Sequence, residues 1–288
     1  MNAILIKTYS MSVKFIFGLL LSQIVFTTAI KGQINKREMA RYNIAFGAIS
    51  GDIGAMINKD PNEKWHKAFL KGAGYGMIGG YLIYESKNVL GRVSKKKKWQ
   101  YSWYAKGINS VGISMIENAA HNRLFMEVYH INLGFNRFEV YTRNKFHVKY
   151  KVMPVSLLLT TSLALKNKFE LRRSFEIGEF VFSSSKTKGN NRGTAYGNIL
   201  LIKNGFFDEY DLYSHEITHI YQYRDYNFFN SYMSGLKDKL INERMKENKL
   251  IDHIYFDANG LALWPLYFGQ ESIFGVNWFE DEANFWEH

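Results

Sequence analysis

The chain opens with a segment in which polar positions are few. Residues 15–30 form a 16-residue apolar run interrupted at only four positions, two lysines precede it, and the first acidic residue is Glu38. A basic start followed by a short apolar run is typical of an export signal, and the run is short for a membrane span. We predict that residues 1–30 are a signal peptide, that the mature chain begins between Ile30 and Asn35, and that the protein is exported to the periplasm or cell envelope. An uncleaved anchor is the alternative.

Apolar positions in residues 31–125 recur with a helical period and are mixed with many glycines. Glycine costs about 1 kcal/mol in a helix interior relative to alanine, but small residues four apart let helices approach closely. The pattern predicts closely packed helices over residues 43–59, 64–88 and 103–122. Lys71, Asp52 and Glu85 interrupt the apolar runs, so a compact helical region is favoured over the alternative, a hairpin that dips into a membrane.

Residues 126–204 alternate between apolar and polar positions with the period of two that is typical of strands. The alternation predicts an antiparallel hairpin of residues 138–142 and 146–152. One face of the second strand should be buried, and it carries Phe146, Val148, Tyr150 and Val152. Further strands are predicted at residues 155–165, 169–177, 179–184 and 198–202.

Helical periodicity returns in residues 205–288. It predicts helices at residues 208–226, 228–249 and 277–288, the first of them capped by Asp208 or Asp211. The whole pattern predicts an α+β fold with a glycine-rich helical N-terminal part, an antiparallel β region and C-terminal helices.

Composition narrows the candidate chemistry. The chain has no Cys, so it forms no disulfides, and any zinc site must use histidines and carboxylates. A net charge of +11 is typical of proteins that bind nucleic acid or an anionic membrane surface. Apart from four lysines at residues 95–98 the basic residues are scattered, and no nucleic-acid-binding signature occurs. We therefore expect no nucleic-acid partner, and association with a membrane surface stays open.

His215, Glu216 and His219 form the sequence His-Glu-x-x-His within the helix predicted at residues 208–226. Residues i and i+4 lie on one face of a helix, so the two imidazoles can share one metal ion. Glu216 is displaced around the helix, and its carboxylate can reach a water on that metal without becoming a ligand. This is the arrangement of zinc metallopeptidases, with the glutamate as general base. The competing interpretation is two unrelated histidines packed among tyrosines.

A catalytic zinc normally takes a third protein ligand and keeps one position open. Asp225 occupies the position that a metzincin-like arrangement would use, but the turn glycine of that pattern is replaced by Gln222. Glu280 and Glu282, in the last predicted helix, are the other candidates.

The segment Glu280-Asp281-Glu282-Ala283-Asn284 resembles the gluzincin segment Glu-x-x-Ala-Asp. The resemblance implies that Glu280 is the zinc ligand, that Ala283 lets the two helices approach, and that Asn284 bonds a ligand histidine. Asn in place of Asp is a departure, because an amide raises ligand basicity less than a carboxylate. Over residues 208–288 the chain also resembles exported bacterial proteins that carry the same motif.

These observations predict a zinc-dependent hydrolase, and among these a metallopeptidase that acts on a peptide or protein. His215, His219 and Glu280 would hold Zn2+, and Glu216 would be the general base. The strand at residues 198–202 would offer an edge to an extended peptide. Candidates for stabilising the oxyanion are Tyr210, Tyr213, Tyr223 and His253. The alternative is a non-enzymatic envelope protein that binds a membrane or a partner and has a structural or vestigial metal site.

Overall fold

The glycine-rich part of the chain is helical, as its periodicity predicts. A computed structural model describes residues 35–185, 191–232, 249–270, 272 and 277–288, so the predicted signal peptide lies outside the described residues. The first part consists of α1 (Lys36–Ile57), α2 (Trp65–Leu90), the short α3 (Arg92–Lys96) and α4 (Gln100–Ala120). No helix in the described ranges is long and apolar enough to cross a membrane.

Glycines let these helices cross with their backbones in contact. A Cβ atom at Gly76 would overlap the carbonyl oxygen of Gly47, and one at Gly80 would overlap that of Asn43. The helices α2 and α4 approach in the same way, since a Cβ at Gly112 would lie 2.8 Å from a carbonyl oxygen of α2. Close packing at these crossings compensates for the low helix propensity of glycine.

Gly76→Ala is expected to lower the free energy of unfolding by about 1–3 kcal/mol, the usual cost of overpacking. Gly74→Ala is the matched control in the same helix, because a Cβ there meets nothing within 4 Å. That substitution should stabilise the protein by up to about 1 kcal/mol. Denaturant titrations of both variants measure the difference, and equal unfolding free energies would rule out the close crossing.

Three antiparallel strands follow the helices in the order β1 (Val128–Leu133), β2 (Asn136–Tyr141) and β3 (His147–Val152). The strands β2 and β3 form the predicted hairpin, with Phe138 opposite Tyr150 and Val140 opposite Val148. The predicted buried face is wrong, because Phe146 is 69% exposed, Val148 57% and Tyr150 39%.

The face of β2 that packs against the rest of the protein is the charged one. Arg137 and Glu139 are both buried, and Arg137 donates to Glu139 at 2.7 Å and to Glu117 of α4 at 2.9 Å. The Lys151 ammonium lies 2.8 Å from Glu139, and the Arg137 guanidinium lies 3.7 Å above the ring of Tyr255. Buried charges need partners, and partners from distant parts of the chain decide which face of the hairpin is covered.

The second sheet has the order β4-β5-β7-β6. Its strands are β4 (Lys168–Phe169), β5 (Phe180–Ser184), β6 (Gly193–Tyr196) and β7 (Ile199–Lys203). The strands β5 and β7 confirm two predicted strands, but they run parallel, so the sheet is mixed rather than antiparallel. The strand β7 is paired on both sides, and among the described residues β4 and β6 are the edge strands. The predicted role of residues 198–202 as a free edge is therefore wrong.

Two predicted strands, at residues 155–165 and 169–177, are mainly helical. They contain α5 (Pro154–Ala164) and α6 (Leu171–Ile177). A short apolar run does not distinguish strand from helix by periodicity. Pro154 lies in the first turn of α5, where its missing N–H is not needed. In α6, Arg172 and Glu176 form an ion pair four residues apart, which supports a helix.

Alternation in the sequence predicts that a charge at position 148 destabilises the protein strongly, whereas the exposure of Val148 predicts a small effect. Val148→Asp is expected to change the free energy of unfolding by no more than about 0.5 kcal/mol, as for other surface changes. Val181→Asp in β5 should cost several kcal/mol, because Val181 is fully buried and the new charge has no partner. Thermal melting compares the two variants, and a large loss in Val148→Asp would show that this face is covered after all.

The described chain ends with α7 (Tyr210–Asp225), α8 (Phe228–Tyr232), a 3₁₀ turn (Lys249–His253), α9 (Asn259–Gly269) and α10 (Trp278–Glu287). The helices α7 and α10 confirm two predicted helices, whereas most of the helix predicted at residues 228–249 lies outside the described residues. Ile217 and Tyr221 of α7 share a buried apolar cluster with Val181 and Leu200 of the second sheet. Helices and sheets together form an α+β fold.

Candidate metal centre

Contact between α7 and α10 builds the site. Asn277 caps α10 with its side chain, and Ala283, which the gluzincin resemblance implies as the close-packing residue, is fully buried. Gln222 of α7 donates to the backbone oxygen of Phe279 in α10 at 2.8 Å, so the two helices touch. Glu280, one residue further along α10, faces the two histidines of α7.

The three predicted ligands converge at this contact. The Nε2 atoms of His215 and His219 are 3.1 Å apart. Glu280 oxygens lie 3.4 Å from Nε2 of His215 and 3.5 Å from Nε2 of His219. Nitrogen and oxygen ligands lie about 2.0–2.2 Å from zinc, which puts two ligands of a tetrahedral ion roughly 3.4 Å apart. Both the donor types and their spacing therefore fit zinc.

Electrostatics at the cluster favour a cation. Hydrogen bonds with His215 and then His219 lower the pKa of the Glu280 carboxyl. Burial alone would lower the pKa of His219, but the hydrogen bond to Glu280 and the nearby Glu216 carboxylate outweigh burial and raise it. A metal ion bound to these atoms would therefore compete with a proton.

Each histidine has a polar neighbour at its other ring nitrogen. Nδ1 of His219 lies 2.8 Å from Oε1 of Gln222 and forms a hydrogen bond with it. Nδ1 of His215 lies 3.3 Å from a Glu287 oxygen, without the geometry of a hydrogen bond. A hydrogen bond like that between Gln222 and His219 orients a ligating imidazole and fixes its tautomer. Asn284, which the resemblance implies for this role, lies in the wall of the cavity instead. The sequence motif gave no signal for Gln222 or Glu287.

Glu216 is buried beside the cluster without belonging to it. Burial raises the pKa of its carboxyl, and the nearby His219 and His215 oppose the rise. A Cβ at Gly193 would lie 3.0 Å from Oε1 of Glu216, so glycine at this position leaves room for the carboxylate.

A cavity of about 690 Å³ opens onto these groups. The edge strand β6 forms one wall, α7 and α10 carry the histidines and Glu280, and α9 contributes Leu263, Trp264 and Phe268. The edge strand, the predicted general base and the predicted metal ligands therefore line one cavity.

The other two candidates for the third ligand, Asp225 and Glu282, contact Lys87 rather than the histidines. The Lys87 ammonium lies 2.8 Å from Asp225 and 3.0 Å from Glu282, and all three groups are buried. Neither carboxylate belongs to the cluster formed by Glu280 and the histidines.

Of the four residues predicted as oxyanion stabilisers, only Tyr223 lines the cavity. Tyr210 and Tyr213 pack elsewhere, and His253 lies 3.0 Å from the backbone oxygen of Tyr150. Tyr267 of α9 lines the cavity as well, and its hydroxyl donates to Glu280. No local motif marks Tyr267, because only the packing of α9 against α10 brings it to the site.

The start of α7 also differs from the sequence expectation. The cap residue is Glu209, which makes no side-chain cap hydrogen bond, so the predicted cap by Asp208 or Asp211 is wrong. Ion pairs explain the difference: Asp208 pairs with Arg173, and Glu209 with Arg192, both at 2.8 Å.

Comparison with models of protein families, with curated proteins and with solved structures finds no match to this chain. Function must therefore be inferred from the residues of the site and their chemistry.

Proposed function

We propose that this protein is a zinc-dependent hydrolase, and specifically a gluzincin-like metallopeptidase. The observation that carries the proposal is the convergence of His215, His219 and Glu280. The two Nε2 atoms are 3.1 Å apart, Oε2 of Glu280 lies 3.4 Å from that of His215, and Oε1 lies 3.5 Å from that of His219. Glu216 is a further carboxylate on the same cavity. Two imidazoles, one ligating carboxylate and one general base are the groups that zinc-dependent hydrolysis requires.

Zinc, when bound, polarises the scissile carbonyl and lowers the pKa of a water molecule to about 7. Glu216 accepts a proton from the attacking water and passes it to the leaving amine. Burial raises the pKa of this carboxyl, and a higher pKa makes a carboxylate a better proton acceptor. The Tyr267 hydroxyl donates to Glu280 and holds that carboxylate beside the two histidines.

An extended peptide is the substrate that the cavity walls suit best. Among the described residues β6 pairs with β7 alone, and its residues Gly193–Tyr196 line the cavity. A peptide paired with this edge would extend the sheet and bring one of its amide bonds next to Glu216. Leu263, Trp264 and Phe268 offer apolar contacts to its side chains.

A location in the bacterial envelope is part of the proposal and is supported by the apolar N-terminal run with its preceding lysines. A second, non-enzymatic role in binding a membrane surface or a partner is supported by the exposed apolar face of the first sheet, since such patches mark interaction sites. Its exposed members include Phe138, Phe146, Val148 and Tyr150. That role would not require Glu216.

The experiment for the hydrolase is digestion of a mixed peptide library by the purified protein, with products identified by mass spectrometry. We expect cleavage that a chelator abolishes and added Zn2+ restores. A zinc-loaded protein that leaves every peptide intact would favour the non-enzymatic role.

A further inference from the structure

The amide of Gln222 has a single possible orientation in this protein. Its Nε2 lies 2.8 Å from the backbone oxygen of Phe279 and 3.0 Å from Oε2 of Glu282. Both neighbours are acceptors, so the NH₂ group must face them. The amide oxygen then faces Nδ1 of His219, at 2.8 Å.

This orientation determines the tautomer of His219. An amide oxygen only accepts, so Nδ1 of the imidazole must carry a hydrogen and donate it. In the neutral ring, Nε2 is then the nitrogen with a free lone pair. It is also the nitrogen that faces His215 and Glu280. A flipped Gln222 amide would favour the other tautomer, in which Nε2 carries the hydrogen and does not bind a metal.

Glu282 is fixed in turn by a lysine from the glycine-rich helices. Nζ of Lys87 lies 3.1 Å from Oε1 and 3.0 Å from Oε2 of Glu282, and 2.8 Å from Asp225. The Lys87 side chain is 0% exposed. Burial alone would lower the pKa of Lys87, but the carboxylates of Asp225 and Glu282 outweigh burial and raise it. Lys87 thus stays charged and holds Glu282 in place.

Glycine packing brings Lys87 to this position. The close approach of α1 and α2 at Gly80 sets Asn43 of α1 beside Lys87 of α2, with Oδ1 of Asn43 at 3.2 Å from Nζ. Nδ2 of Asn43 lies 3.3 Å from Oε1 of Glu282. Residues from two glycine-rich helices, Asn43 and Lys87, therefore contact the Glu282 carboxylate of α10.

We propose that Lys87 and Glu282 are positioning residues of the metal site, which fix the Gln222 amide and, through it, the tautomer and orientation of His219. The inference rests on the proposed zinc site. It makes the glycine-rich helices part of the machinery of that site rather than a separate module.

Lys87→Met tests the first link. We expect its zinc dissociation constant, measured by competition with a chelator, to rise about 10- to 100-fold. A rise of this size is usual when a residue that orients a metal ligand is lost. The matched control is Lys106→Met. Lys106 is a second buried lysine of the glycine-rich helices, 2.8 Å from Glu179 and outside the chain of contacts to His219. Its removal should cost stability and leave zinc affinity unchanged.

Glu282→Gln is the second variant, for the case that Lys87→Met does not fold. It keeps the side-chain volume and leaves Lys87 paired with Asp225. An amide has one acceptor oxygen where the carboxylate has two. If its NH₂ group faces Lys87 and Asn43, the side chain loses its contacts with the glycine-rich helices. If the NH₂ group faces Gln222, it repels the NH₂ of that residue. The restraint on Gln222 weakens in both orientations. We expect a rise in the zinc dissociation constant here too, and a changed ¹⁵N shift pattern of the His219 ring in the metal-free protein.

A double-mutant cycle separates positioning from general loss of structure. If Glu282 acts through Gln222, adding Glu282→Gln to Gln222→Leu should weaken zinc binding no further than Gln222→Leu alone. Folded Lys87→Met or Glu282→Gln protein that binds zinc as tightly as the parent would overturn the inference while leaving the zinc site intact. So would additive losses in the cycle. A parent that binds no zinc would instead refute the proposed function.

Discussion

Glu216→Gln is expected to reduce peptide hydrolysis by about 10²- to 10⁴-fold, the usual contribution of a general base, while zinc binding stays at the parental level. The amide fills the same volume but does not accept the proton of the attacking water. Glu216 is outside the ligand cluster, so its charge is not needed to hold the metal. Turnover of the zinc-loaded variant and its zinc dissociation constant are the two quantities to measure.

Asp211→Asn is the matched control for this substitution. It changes a carboxylate to an amide on the same helix, at a side chain that is 38% exposed. Activity should stay at the parental level. Full activity of Glu216→Gln would assign the base to another residue, and loss of zinc from Glu216→Gln would make the glutamate a ligand.

Removal of any one predicted ligand is expected to raise the zinc dissociation constant by more than about 100-fold. Loss of a residue that only orients a ligand usually raises it about 10- to 100-fold. The three variants are His215→Ala, His219→Ala and Glu280→Ala. Two controls match them in side-chain chemistry. Asp281→Ala removes a carboxylate adjacent to Glu280, and His253→Ala removes an exposed imidazole that is bonded to the backbone of Tyr150. Both should bind zinc like the parent.

Asp225→Ala tests the metzincin-like alternative in the same titration. Asp225 lies against Lys87 rather than the histidines, so its loss should cost stability more than zinc affinity. If Glu280→Ala kept zinc and Asp225→Ala lost it, the gluzincin-like ligand set would be wrong.

The sequence predicts the part of the site that depends on local geometry. His215 and His219 meet because four residues make about one turn of a helix, and that spacing is visible in the chain. Glu280, 61 residues after His219, could be proposed only through the resemblance of its own segment to a known one. The groups behind the ligands, Gln222 and Glu287, become visible only when α7 and α10 are packed together.

Long-range ion pairs account for the largest error about the fold. Alternation placed Val148 and Tyr150 inside, because apolar faces of strands are normally the buried ones. The charged face of the hairpin is the buried one, because Arg137 pairs with the buried Glu117 and Glu139 pairs with the half-buried Lys151. The alternation of apolar and polar residues within a strand does not indicate ion pairs with other parts of the chain. The spacing of glycines did predict the close helix crossings, since that signal depends only on residues within one helix.

Metal analysis of the protein purified without added metal tests the central claim most directly. We expect one zinc ion per chain in the parent, and none in a variant that lacks both His215 and His219. A parent that contains no zinc and takes up none when Zn2+ is supplied would contradict the account.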